Sequence, residues 1–124
     1  MADSIGIDIA EVARFQRLLD RYGDRLVARV LSSDEAQMLA RRRDRAVFLA
    51  GRFAAKEAII KALGKYLSAR PSMISIAILN DASGRPRVRL PDTLAAELAR
   101  VQIEVSISHE RSHAVSLAVC TEKS

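Results

Sequence analysis

Val101, Ile103, Val105 and Ile107 alternate with Gln102, Glu104, Ser106 and Ser108, the period-two pattern of a strand with one buried face. A second alternating stretch, 114–121, pairs with it across a turn at 109–112. Nearer the start, 4–9 reads as a strand that leads into a helix over 10–22. That helix places Val12, Phe15, Leu18, Leu19 and Tyr22 at i, i+3, i+4, i+7 spacing, and Gly23 ends it as a C-cap. Ser32 and Glu35 fit a capping box, so a further helix starts there and runs into the polar stretch 41–45. The Ala-rich segment 46–63 is apolar on more than one side, which predicts a long, buried, central helix stopped by Gly64. Beyond it the period returns to two: a strand over 73–79, a turn over 80–86 and a returning strand over 87–90. Pro91 and Asp92 open a short helix to about residue 100. The order is strand, helices, then an antiparallel meander. It predicts an α+β fold, an antiparallel sheet packed with a long central helix and shorter ones.

The 124 residues suit one domain, 1–124, large enough for a real core. No apolar run approaches the roughly 20 residues of a membrane span, and the first residues do not resemble a secretory signal. The single cysteine, Cys120, lies in an alternating strand and reads as a buried thiol in a cytoplasmic protein. A net charge of +5 calls for an acidic partner. Three Phe and two Tyr, nearly all at core spacing, leave little to stack bases on, so nucleic acid is not expected. An acidic protein or a polyphosphorylated small molecule accounts for the charge equally well.

Three side chains carry the sharpest chemistry. Asp8 closes the apolar stretch Ile5-Gly6-Ile7-Asp8-Ile9, and Glu57 and Lys61 share one face of the central helix. Two carboxylates and an ammonium on apolar elements suit a hard cation beside a phosphate, because magnesium takes only one or two carboxylates and completes its shell with water and phosphate oxygens. Taken singly, a Glu–Lys pair at i,i+4 is more often a solvated surface pair, and Asp8 is also placed to cap the following helix. His109 ends its strand as a hydrogen-bonded turn residue or as a phosphate donor. Arg14, Arg17 and Arg21 form a basic stripe away from Phe15 and Leu19, either a solvated face or a surface for carboxylates and phosphates.

The segment Gly6-Ile-Asp-Ile9, the run from Phe48 through Arg52, Glu57 and Lys61 to Gly64, the triplet Gly84-Arg-Pro86 and Val105-Ser-Ile-Ser-His109 resemble, in order and spacing, the motifs of holo-[acyl-carrier-protein] synthases. The resemblance covers nearly the whole chain. It implies a 4′-phosphopantetheinyl transferase that moves the arm of coenzyme A onto a serine of an apo acyl carrier protein, a step that serves fatty acid or polyketide synthesis. It also implies that Asp8 and Glu57 hold Mg2+, that Lys61 and Arg52 bind phosphates, and that Gly64, Arg85, Pro86 and His109 contribute to the coenzyme A site. It further implies a homotrimer whose cleft lies between protomers, with Arg85, Pro86 and His109 serving a neighbour's site, and an arginine stripe that faces the carrier. After Gly64 the family often has a Gly-Thr-Gly turn, whereas this chain continues Lys65-Tyr-Leu-Ser-Ala-Arg70, so its adenine-side contacts differ. A catalytically silent module that docks on acidic partners through the stripe is the reading from another class.

Overall fold

The first strand carries its isoleucines on the outside. The structure, a computed structural model, describes residues 2–123. In β1 (Ser4–Glu11) the alternation turns Ser4, Gly6, Asp8 and Ala10 inward and Ile5, Ile7 and Ile9 outward. The inward side lies directly on the long helix, numbered α4 below (Arg45–Leu63). A Cβ at Gly6 would stand 1.9 Å from the Ala58 carbonyl oxygen, so only glycine allows this approach. The Ser4 hydroxyl adds a tie by donating to the Ala62 carbonyl at 2.7 Å.

β1 is an edge of a three-stranded antiparallel sheet. The last strand, β5 (His113–Glu122), runs through its centre, and β4 (Val101–His109) forms the other edge. Ala114, Ser116, Ala118 and Cys120 of β5 point inward, and α4 answers with Ala54, Ala55, Ala58 and Ala62. Small residues on both surfaces let helix and sheet lie close, which is why the helix is Ala-rich. Burial pushes the Cys120 thiol up to about 11, as befits a core residue that is not a nucleophile.

The helices α1 (Val12–Tyr22), α2 (Asp24–Val30) and α3 (Ser33–Ala40) pack at the N-terminal half of α4. Phe15 and Leu19 of α1 are buried, and the Phe15 ring meets Phe53 of α4 at 5.1 Å between centroids. Gly23 takes φ +52° and donates its N–H to the Leu19 carbonyl, so it caps α1 as expected and starts α2 at once. The capping box is present: the Glu35 amide donates to the Ser32 hydroxyl and the Ser32 amide to the Glu35 carboxylate.

Several boundaries differ from expectation. β1 continues to Glu11 because it pairs with β5 as far as Glu11–His113, so Asp8 lies inside a strand and does not cap α1. The helix α2 was not anticipated; only Val27 and Val30 of its seven residues are buried, too few for a periodic signal. The strand expected over 73–79 begins as a 3-10 turn, Met73–Ser75, in which the Ser75 hydroxyl bonds back to the Ser72 carbonyl. The hairpin β2 (Ala77–Asn80) and β3 (Pro86–Arg89) follows, then a short α5 (Asp92–Glu97). There is no continuous meander: the hairpin forms its own sheet, and β1 completes the other one.

Charge is also buried. Glu35 and Lys56 are both 0% exposed and Arg52 is 7% exposed. Lys56 Nζ donates to Glu35 Oε1 at 2.5 Å and to the Val30 carbonyl at 2.6 Å, while Glu35 Oε2 accepts from the Ile78 amide at 2.9 Å. Arg52 Nε donates to the Ile78 carbonyl at 3.1 Å and lies 3.7 Å from Glu35. Burial lowers the pKa of Lys56, and its bond to Glu35 opposes the shift. The cluster fixes α2, α3 and β2 against one turn of α4. Lys56→Ala leaves Glu35 buried without its closest counter-charge and is expected to cost about 3–5 kcal/mol in urea unfolding. Loss of less than about 1 kcal/mol would show that the pair does not hold the elements together.

Candidate active site

Two i,i+4 pairs project from opposite sides of α4. Glu57 and Lys61 form one, Arg52 and Lys56 the other. At about 100° per residue, Arg52 and Lys61 lie about 180° apart around the axis and about 13 Å apart along it. The candidate residues therefore fall into two groups.

The first group forms where β1 crosses α4. Asp8 points inward from β1, and Lys61 Nζ donates to its Oδ1 at 3.1 Å and to the Ile7 carbonyl at 2.9 Å. Glu57, one turn before Lys61 on the same face, accepts from Arg70 Nη2 at 2.7 Å. A shallow recess bordered by Lys61, Gly64, Leu67 and Arg70 opens beside them. Lys61 thus joins Asp8 to the last turns of α4, which carry Glu57 before it and Gly64 after it. Arg70 joins them, a contact invisible in sequence because its partner lies 13 residues away across an irregular loop.

The second group surrounds a recess lined by Phe48, Arg52, Asn80, Pro86, Ile107 and His109. Its floor is α4 and its walls are the β2–β3 hairpin and the end of β4. Two guanidinium groups lie over the Phe48 ring, Arg42 at 5.0 Å and Arg52 at 4.6 Å from its centroid. Arg52 Nη2 is buried without a hydrogen-bond partner, and burial holds its guanidinium below the ordinary range. The hairpin turn is set by Asp81, whose carboxylate accepts from the Ser83 hydroxyl and amide, the Arg85 amide and Arg87 Nε. Those bonds, led by the Ser83 hydroxyl, lower the Asp81 carboxyl to about 2. Arg85 lies on this turn with its side chain exposed, next to Pro86.

Arg14, Arg17 and Arg21 are exposed on α1, although the first does not keep clear of Phe15 as the stripe predicts. Arg14 reaches over Phe15 and Phe53, Arg17 pairs with Glu11 at 3.4 Å, and Arg21 stacks on Tyr22. Arg25 and Arg29 of the unforeseen α2 extend the basic surface, and a groove bounded by Leu18, Tyr22 and Leu26 runs between them.

Residues 4–120 match the family described as the 4′-phosphopantetheinyl transferase superfamily. The holo-[acyl-carrier-protein] synthase of Laribacter hongkongensis is 43% identical over 123 residues, covering 96% of this chain and 98% of the relative. That of Protochlamydia amoebophila is 41% identical over 119 residues, with 96% and 98% covered. Among solved structures, the Neisseria meningitidis synthase superposes with a TM-score of 0.88 at 30% identity, over 98% of this chain and all (100%) of that one. The Bacillus anthracis synthase, solved in complex with coenzyme A (3′,5′-ADP), gives 0.79 at 32% identity over 100% and 99%. This chain, with its acidic pair at the β1–α4 crossing, belongs to the 4′-phosphopantetheinyl transferase superfamily.

Proposed function

We propose that this chain transfers the 4′-phosphopantetheine group of coenzyme A to a serine hydroxyl of an apo acyl carrier protein and releases adenosine 3′,5′-bisphosphate. The observation that carries the reading is the meeting of Asp8 with Lys61, one helical turn from Glu57, at the crossing of β1 and α4. No cluster of three or more His, Cys, Asp or Glu side chains suited to a metal occurs among the described residues. Two carboxylates are nevertheless the donor set that fits Mg2+, whose remaining positions go to water and substrate phosphates. When bound there, the ion would neutralise the diphosphate and stabilise charge on the departing phosphate.

The chain's own residues supply the rest. Lys61 donates to a phosphate oxygen from a fixed helix, and Asp8 and Glu57 would hold the ion beside it. Arg52 and His109, with the Arg85-Pro86 turn, suit the nucleotide portion: two cationic or donor groups beside a wall of Phe48 and Pro86. Since that recess opens on the other side of α4, one ligand spans both groups only if two copies of the chain contribute.

The outer sheet face supports such an assembly. Ile5, Ile7 and Ile9 are 62%, 60% and 63% exposed, and their cross-strand neighbours Val119, Leu117 and Val115 extend the stripe. Solvated isoleucines in this number mark a surface that another chain covers. The stripe ends beside His109, where Ile9, Val115 and His109 line a common recess. A copy seated on it therefore arrives next to the nucleotide recess. The homotrimer implied by the motifs accounts for this arrangement.

The carrier docks on α1 and α2, where Arg25 and Arg29 line the groove of Leu18, Tyr22 and Leu26 and Arg14, Arg17 and Arg21 add exposed positive charge on α1. Guanidinium groups suit the carboxylates of an acidic helical protein. Transfer in the cytoplasm agrees with the single buried thiol and with the lack, among the described residues, of any helix able to cross a membrane.

Incubation of an apo carrier with coenzyme A, Mg2+ and this protein should add one phosphopantetheine to the carrier's mass. Glu57→Ala should slow that gain about a hundredfold or more while circular dichroism stays unchanged. Turnover equal to wild type would remove Glu57 from the metal site. Ile7→Glu should convert the assembly to monomers in light scattering and abolish transfer with the fold intact. An unchanged mass in solution would exclude the isoleucine stripe as the interface.

A further inference from the structure

Each carboxylate assigned to the divalent ion already touches a cation of the chain. Lys61 covers Asp8 at 3.1 Å, and Arg70 covers Glu57 at 2.7 Å. The two pairs differ in how firmly they are held. Lys61 stands on α4 and also bonds the β1 backbone. Arg70 belongs to the irregular stretch between Gly64 and the turn at Met73, and its side chain is 62% exposed against 20% for Glu57. An exposed pair of this kind is weak and exchangeable. The other cation of the stretch, Lys65, is occupied elsewhere: its Nζ donates to the Asp3 carbonyl at 3.1 Å and lies over the Tyr66 ring.

We propose that Arg70 is a phosphate ligand for coenzyme A, held on Glu57 until the divalent ion takes that carboxylate. The inference rests on Asp8 and Glu57 being the metal ligands. Asp8, Glu57, Lys61 and Arg70 together carry no net charge. A divalent cation on a diphosphate diester, with one negative charge per phosphate, is also neutral. When the two sets exchange partners, the metal meets Asp8 and Glu57 while the diphosphate meets Lys61 and Arg70. Every charge keeps an opposite neighbour. Neither ligand achieves this alone: the metal by itself must displace two cations and leave them unpaired beside it, and the diphosphate by itself faces two carboxylates. Arg70 borders the same recess as Lys61 and Gly64, so its guanidinium needs only a side-chain rotation to turn from Glu57 toward a phosphate. Metal and coenzyme A binding are then coupled, and the coupling is reciprocal.

The test measures Mn2+ affinity by electron paramagnetic resonance and coenzyme A affinity by calorimetry, on the intact protein and on Arg70→Ala and Arg70→Lys. For Arg70→Ala, Mn2+ alone should bind up to about fivefold tighter, because its competitor is gone. Coenzyme A in the presence of Mn2+ should bind about tenfold weaker, through loss of a charge-assisted hydrogen bond. Arg70→Lys should recover most of the coupling. A residue that merely clips the loop to α4 would not shift the two affinities in opposite directions. If Arg70→Ala leaves Mn2+ affinity unchanged or lower, or leaves coenzyme A affinity unchanged, the exchange is wrong. Intact protein that binds neither probe would instead overturn the metal site itself, and the role of Arg70 with it.

Discussion

A strand backbone lies on a helix backbone at Gly6 and Ala58, closer than any side chain permits. Much of what matters chemically follows from that contact. With β1 pressed onto α4, the inward alternation of the strand carries Asp8 to the Lys61 ammonium, and Glu57 stands one turn away. The same alternation sends Ile5, Ile7 and Ile9 to the opposite face, where they stay exposed. One local packing constraint thus creates both an acidic site and an apolar surface. The small inward residues of β5 prolong the close packing along the sheet.

α4 serves as the shared axis of two half-sites. One side carries Glu57 and Lys61 toward β1, and the other carries Arg52 and Lys56 toward α3 and β2. The second side is tied down by Glu35, which is wholly buried and accepts bonds from its own helix cap, from α4 and from β2. A buried carboxylate with this many donors is a rigid reference point, since any displacement would leave charge unpaired in a low-dielectric interior. The Arg52 side of its recess is therefore positioned by the core. On the Glu57 side, the loop that bears Arg70 is held less tightly, by an exposed ion pair.

Local pattern made much of the fold legible. The alternation at 101–107, the capping box at Ser32 and the Ala-rich run of α4 all announce their elements, because each signal lies within one element. Asp8, Glu57 and Lys61 stood out as polar residues in apolar settings. Three features were hidden. The pairing of β1 with β5 joins residues more than a hundred positions apart, for example Ser4 with Cys120, and no local period encodes it. Alternation alone also cannot say which face of β1 is inward; the unbroken isoleucines suggest the wrong one until Gly6 is seen against Ala58. Finally, the partners of Glu35 and Arg70 are contacts across loops, so nothing local marks Lys56 and Glu35 reads as a cap alone.

The most direct test is crystallographic: the protein crystallised with coenzyme A and Mn2+, with the metal placed by its anomalous signal. The expected map shows the ion bound by Asp8 and Glu57 on the diphosphate, with Arg52 and His109 of a second copy on the same nucleotide. An ion bound away from both carboxylates, or a nucleotide held by one chain alone, would contradict the shared site.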